Sequence, residues 1–164
     1  MKILGIDPGS TRAGYAVIEY ESLHKKPVLI TAGILKTNSP DKNRLLAELF
    51  TSSTEIIKKY LPDIAGIETL RFAKNVTTGI EVAQSRGVLI CTIVQHTIPL
   101  YEFSPLEIKQ GITGYGNADK HSVIRAVQQT IDASSCIGQP DDVFDAIAIA
   151  LVTAYAYKNL KKRS

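Results

Sequence analysis

The sequence predicts an α/β fold with a mixed sheet flanked by helices. Three observations carry this. Three short strand-like runs with tight connections open the chain, as an antiparallel meander would. Strand and helix patterns then alternate through the middle. The last third is helical, ending in a stretch that is apolar on every side.

Residues 3–7 read as a short buried strand that Pro8, Gly9 and Ser10 turn. Residues 14–20 and 28–36 read as the second and third strands. Ser39, Pro40 and Asp41 form a helix start signal, and Leu45, Leu46, Leu49, Ile56 and Ile57 follow at helical spacing until Pro62. Residues 63–68 form the fourth strand. A second helix covers 79–96, its apolar half at 88–94 serving as core or as a dimer face. Residues 100–103 are the fifth strand, 105–110 a helical piece, and 111–116 a glycine-rich loop. Helices at about 118–131 and 140–160 complete the order βββαβαβαα. No repeat or linker divides the chain, so 1–164 reads as one domain with a basic tail at about 158–164, carrying Lys158, Lys161, Lys162 and Arg163.

Four carboxylates stand in costly places. Ile3, Gly5 and Asp7 share one face of the first strand, and Ile64, Gly66 and Glu68 share one face of the fourth. Each strand offers an apolar residue, a glycine where something approaches closely, and then an acid. If the strands are neighbours, Asp7 and Glu68 lie side by side. Like charges that close need a cation between them. On the last helix Asp142 and Asp145 are three apart and share a face. The run from Ala146 to Leu151 reads as buried, so Asp145 enters the core side and needs a partner or a metal. Taken singly, Asp142 reads as readily as an acid at a helix start, Asp7 as a turn former and Glu68 as a surface strand end. Together they suit Mg²⁺ or Mn²⁺, which take oxygen ligands, and no His/Cys cluster competes. Two such ions activate a water and stabilise the leaving oxygen in an in-line phosphodiester displacement.

The bulk figures agree with a nucleic-acid partner without requiring one. The 164 residues are 45% hydrophobic and 21% charged, with a net charge of +3. Setting the four acids aside leaves 19 bases against 12 acids, a surface basic enough to attract a polyanion. The N-terminus is too short and too soon acidic for a signal peptide, and no apolar run reaches membrane-spanning length. Cys91, inside an apolar run, reads as a reduced and buried cysteine, and with Cys136 implies a cytosolic protein. His24, His96 and His121 show no partner pattern. Arg71, Lys74, Arg86, Lys109 and Lys120 fall in or near expected loops and helix ends, where phosphate contacts are made. Gly111, Gly114 and Gly116 let backbone approach a strand closely.

An ordered set of motifs resembles the RuvC family of Holliday-junction resolvases. It comprises Gly5 to Ser10 with Gly14 and Tyr15, then Ile67 and Glu68, then Ala73, Lys74 and Asn75, and then Gln84 to Gly87. Lys109 and Gln110, Gly114 to Gly116, Asp119 and Lys120, and Asp142 to Ala148 complete it. The resemblance implies a ribonuclease H-like, five-stranded mixed sheet. It also implies a dimeric, metal-dependent endonuclease that nicks two opposed strands of a four-way DNA junction, working with a branch-migration helicase. Asp7, Glu68, Asp142 and Asp145 match the family's catalytic metal-binding acids. Lys109 and Lys120 match basic residues near the scissile phosphate. The segment after Glu68 matches a loop whose aromatic side chain stacks on a base; here Arg71 holds that place and Phe72 follows. A ring or a guanidinium plane serves for stacking.

Three other readings compete. Actin-like phosphotransferases open similarly but need two such domains. A YqgF-like RNA-processing nuclease fits the Asp142/Asp145 pair and the Lys120 region less well. A non-catalytic nucleic-acid-binding scaffold would not keep four carboxylates that repel DNA.

Overall fold

The structure, a computed structural model, describes residues 1–22, 24–70 and 76–161. Arg71, Phe72, Lys74 and Asn75 therefore lie outside the described residues. Five strands form one sheet: β1 (Lys2–Asp7), β2 (Ala13–Glu19), β3 (Val28–Leu35), β4 (Ile64–Glu68) and β5 (Leu100–Phe103). Their order is β3-β2-β1-β4-β5. The first three strands pair antiparallel, whereas β4 runs parallel to both β1 and β5. A hairpin needs only a tight turn, and a parallel pair needs a long crossover. The short early connections and the later helices follow that rule.

Side chains alternate along each strand and divide the core in two. Leu4, Ile6, Ala65 and Ile67 point to one face. There they meet Leu49 and Ile57 of α1 (Lys42–Tyr60) and Leu89 and Ile93 of α2 (Val76–Gln95). Ile3, Ala16, Ile18 and Ile64 point to the other face. That face carries α3 (Pro105–Thr113), α4 (Lys120–Thr130) and α5 (Asp141–Lys161). Asp41 caps α1 by accepting a hydrogen bond from the Arg44 amide, and Leu61, just before Pro62, caps its other end. Among the described residues no helix is long and apolar enough to cross a membrane.

Three expectations need correction. Residues 105–110 are part of a full helix, α3, which the capping box of Ser104 and Glu107 starts. It runs through Gly111 and Ile112, so the glycine-rich loop is shorter than expected and the order becomes βββαβαβααα. Helix α2 begins at Val76 rather than 79; Arg86 lies mid-helix, not at a loop or helix end, and Lys109 is likewise inside α3. Cys91 is exposed while Cys136 is buried. Helix α2 turns Leu89 and Ile93 inward, so Cys91 falls on the outward side of the same apolar run. The last helix, expected at about 140–160, is α5, which carries Lys158 and continues to Lys161.

Candidate active site

The site starts from the register of two strands. In the parallel pair β1–β4, Ile3 lies opposite Ile64 and Gly5 opposite Gly66. The next positions on that face are Asp7 and Glu68, the last residues of their strands. The two acids thus stand at adjacent strand ends, as the matched pattern of apolar residue, glycine and acid predicts.

What approaches the glycines closely is α5. A Cβ on Gly5 would lie 2.2 Å from the carbonyl oxygen of Ala146 and 2.5 Å from the amide nitrogen of Ala150. One on Gly14 would lie 2.1 Å from the carbonyl oxygen of Asp142. Only glycine admits helix backbone that near to the sheet. Ala146 and Ala150 complete the contact with small side chains and are fully buried. This packing lays the first turns of α5 across β1 and β2 and brings Asp142 and Asp145 to the end of the sheet where Asp7 and Glu68 stand.

Electrostatics record the convergence. Burial and then the charges of Asp145, Glu68 and Asp142 push the Asp7 carboxyl up to about 8, against a small opposing effect of Lys120. Asp145 is also raised, first by burial; Lys120 and Lys109 oppose this, while Asp142 and Asp141 add to it. The Lys120 ammonium is 3.9 Å from Asp145 and 3.1 Å from Asp141. Burial works to lower its pKa, but the Asp141 hydrogen bond and the charges of Asp145, Asp141 and Asp142 win, so the net shift is upward. Asp119 fixes the start of α4, and hence Lys120, by accepting from the Ser122 amide at 2.7 Å. Glu68, Lys109, Lys120 and Asp145 line one cavity of about 210 Å³, floored by Pro105, Ile108 and Val123.

The sequence reading missed Arg12. Its Nε lies 2.8 Å from Asp142 Oδ2. The N–H is not aimed at that oxygen, however, and the buried Oδ2 receives no hydrogen bond among the described residues. The contact is one of charge. A guanidinium in the turn after Pro8 and Gly9 was visible in the sequence, but its partner is far along the chain.

The carboxylates do not crowd onto one point. Among the described residues, no group of three or more His, Cys, Asp or Glu side chains stands at metal-ligand spacing. The acids repel one another, and Asp142 and Asp145 lean instead on Arg12 and Lys120. The donor set nevertheless suits a hard divalent cation. It is all oxygen, it holds an acid raised by its neighbours' charge, and it includes a buried oxygen without a hydrogen bond.

The other expected contacts separate. Arg86 pairs with Glu102 and donates from Nε to the Glu68 carbonyl at 2.9 Å, which braces the end of β4. Gly114 closes α3 with φ of 79°, and a Cβ on Gly116 would press Leu106 at 2.9 Å. Both glycines thus have a reason within the fold.

Comparison with known proteins is consistent with this geometry. The family model of crossover junction endodeoxyribonuclease RuvC matches residues 3–153. The crossover junction endodeoxyribonuclease RuvC of Caldicellulosiruptor saccharolyticus is 41% identical over 151 residues, covering 92% of this chain and 90% of its own. That of Chloroflexus aurantiacus is 40% identical over 164 residues, covering 99% and 98%. The T. thermophilus RuvC structure in complex with a Holliday junction substrate superposes with a TM-score of 0.86 at 25% identity, covering 97% of this chain and 96% of that one. With its ribonuclease H-like sheet, its acids at adjoining strand ends and a family match across nearly its whole length, this chain belongs to the RuvC family of crossover junction endodeoxyribonucleases.

Proposed function

We propose that this endonuclease resolves four-way DNA junctions by paired symmetric nicks, through metal-dependent phosphodiester hydrolysis at Asp7, Glu68, Asp142 and Asp145. The observation that carries the reading is Asp7. It ends β1 beside the end of β4, and burial and three neighbouring carboxylates raise it to about 8. A folded protein keeps such a site when cations offset the repulsion. The family uses divalent metal; Mg²⁺, or Mn²⁺ in its place, with two ions per site, is the form we favour. When bound, these ions activate water and stabilise the charge that develops on the leaving oxygen.

The protein's own groups do the rest. Asp7 and Glu68 are held by strand ends and Asp142 and Asp145 by a helix pressed on glycine, so the four are positioned before substrate arrives. Lys109 and Lys120, on the rim of the cavity that Glu68 and Asp145 line, hold the scissile phosphate. Gly114 and Gly116, at the end of α3, let the strand pass close. Arg71, Phe72, Lys74 and Asn75 contact the junction, with Phe72 or Arg71 stacking on a base. The solved T. thermophilus relative is in complex with a Holliday junction, and four-way DNA is the substrate we assign here.

The acid variants test the reading. Asp7→Asn, Glu68→Gln and Asp145→Asn each abolish cleavage of a synthetic junction in Mg²⁺ while leaving junction binding intact or stronger. Near-normal cleavage by any of them removes that residue from the site.

Two symmetric cuts call for two sites related by a two-fold axis, and an isologous dimer supplies them with one kind of interface. The outward side of α2 is the face we assign to it, since Ile80 and Val94 are 56% and 60% exposed there beside Cys91. Ile80→Glu combined with Val94→Glu yields a monomer by sedimentation that nicks a cruciform plasmid without linearising it; linear product from a strict monomer in a single encounter refutes the paired mechanism. A branch-migration helicase is the partner that would present such junctions.

A further inference from the structure

Arg12 and Asp142 are both fixed at the backbone and free only at the side chain. A Cβ on Gly9 would lie 2.1 Å from the Arg12 carbonyl oxygen, so the turn that carries Arg12 is closed tightly. Thr37 Oγ1 donates to the carbonyl of Thr11 at 2.8 Å and ties the same turn to the chain beyond β3. On the other side, the Asp142 carbonyl rests against Gly14. The Arg12 side chain is 57% exposed, whereas that of Asp142 is 28% exposed and turns its buried Oδ2 toward Arg12. An ion pair with water on one side and no aligned hydrogen bond is weakly held. A guanidinium is also the side chain best shaped to take two oxygens of a phosphate.

We propose that Arg12 is an exchangeable counterion, holding Asp142 in the DNA-free protein and passing to a backbone phosphate when a strand arrives, which frees Asp142 for a cation. The proposal rests on the metal reading given above. Its consequence is coupling. A cation at Asp142 and a phosphate at Arg12 each remove the other's competitor, so each tightens the other by the same factor. Arg12 is then a positioning residue that links substrate binding to loading of the site. Lys120 has a different place, since it leans on Asp141 and Asp145.

Two measurements on the full-length chain test this. The first is calorimetric titration with Mn²⁺ in the absence of DNA. Arg12→Gln tightens Mn²⁺ binding about two- to fivefold, the range an exposed ion pair controls, and Arg12→Lys, which keeps the charge, stays close to wild type. The second is four-way junction binding in EDTA across a salt series. Arg12→Gln weakens binding, and its log–log salt slope falls by about one because one phosphate contact is gone. A purely structural Arg12 would leave that slope in place. Equal Mn²⁺ affinity in wild type and Arg12→Gln, an unchanged slope, or Arg12→Lys behaving as Arg12→Gln each overturns the proposal. Asp7→Asn and Asp142→Asn separate the two levels. If both bind Mn²⁺ as wild type does, the metal reading fails and the counterion with it. If both lose affinity while Arg12→Gln changes nothing, only the counterion fails.

Discussion

The two faces of the sheet are packed by different means. Toward α1 and α2, the contact is made by large aliphatic side chains, among them Leu4, Ile6, Leu49, Leu89 and Ile93. Toward α5, glycine and alanine stand among Ile3, Ile18 and Ile64, and backbone meets backbone at Gly5 and Gly14. Long side chains adjust by changing rotamer, so a face built from them accommodates small errors. Backbone pressed on backbone has no such freedom. The face that carries Asp7, Glu68, Asp142 and Asp145 is the one that cannot adjust. At Gly5 and Gly14 geometry is held by the absence of a side chain rather than by the fit of one.

A substitution on each face breaks the comparison if it is wrong. Gly5→Ala gives the largest effect. Its methyl group meets the Ala146 carbonyl at 2.2 Å, so α5 must shift. Overpacking of this kind costs on the order of 3 kcal/mol or more, and junction cleavage falls by at least about a hundredfold even where the protein is fully folded, because a misplacement near 1 Å is enough. Circular dichroism melting with cleavage assayed well below the midpoint separates the two losses. Full activity in a folded Gly5→Ala protein would show that α5 tolerates displacement. On the opposite face, Leu89→Ala removes a fully buried side chain and costs about 2–5 kcal/mol. Cleavage per folded molecule stays near wild type, since that face carries none of the acids. If Leu89→Ala and Gly5→Ala lose activity alike at matched stability, the contrast between the faces has no functional meaning.

A smaller effect sharpens the electrostatic side. The folded protein raises Asp7 from the ordinary 3.8 to about 8, so the folded state binds this proton more tightly than the unfolded chain. The stability gained is fully present below about pH 4 and is lost as pH rises through about 8. In EDTA, Asp7→Asn therefore melts close to wild type near pH 4 and above it at pH 8. The gain is about 1–3 kcal/mol, less than the whole shift converts to, because the carboxyl keeps some contact with water. Adding Mg²⁺ stabilises the wild type more than the variant and closes the gap. A gap that does not depend on pH would mean that repulsion at Asp7 is not what the asparagine relieves.

Much of this was legible in the chain. The repeated order of apolar residue, glycine and acid in residues 3–7 and 64–68 gives the parallel register directly, because strand side chains alternate and the acids must share a face. The same glycines implied a close approach, and the apolar run after Asp145 implied a buried helix, but that the helix is what meets the glycines is seen only in the fold. Local signals that compete were harder to weigh. Ser104 and Glu107 start a real helix, yet Gly111, Gly114 and Gly116 made the segment look like a loop. The glycine at 111 instead makes room for Val152, whose Cγ2 a Cβ there would approach to 2.8 Å. Cys91 was misplaced because an unbroken apolar run in a helix hides which side faces inward. The pairings of Arg12 with Asp142 and of Lys120 with Asp145 were out of reach. Their partners are distant in sequence, and no periodicity encodes a salt bridge between separate elements.

Helix ends are ordinarily the first part of a helix to fray. In α5 the first turn carries Asp142, and Asp145 follows directly behind it, so fraying there would let both wander. The sheet prevents it at three points spread along the helix: Asp142 against Gly14, Ala146 and Ala150 against Gly5, and Thr153 against Gly66. From Asp142 to Thr153 the helix rises about 16 Å. A rod touched at points that far apart can neither pivot nor roll, and one clamp sits on the very turn that would otherwise loosen. The two aspartates consequently inherit the stiffness of the sheet and move with Asp7 and Glu68 as parts of one body.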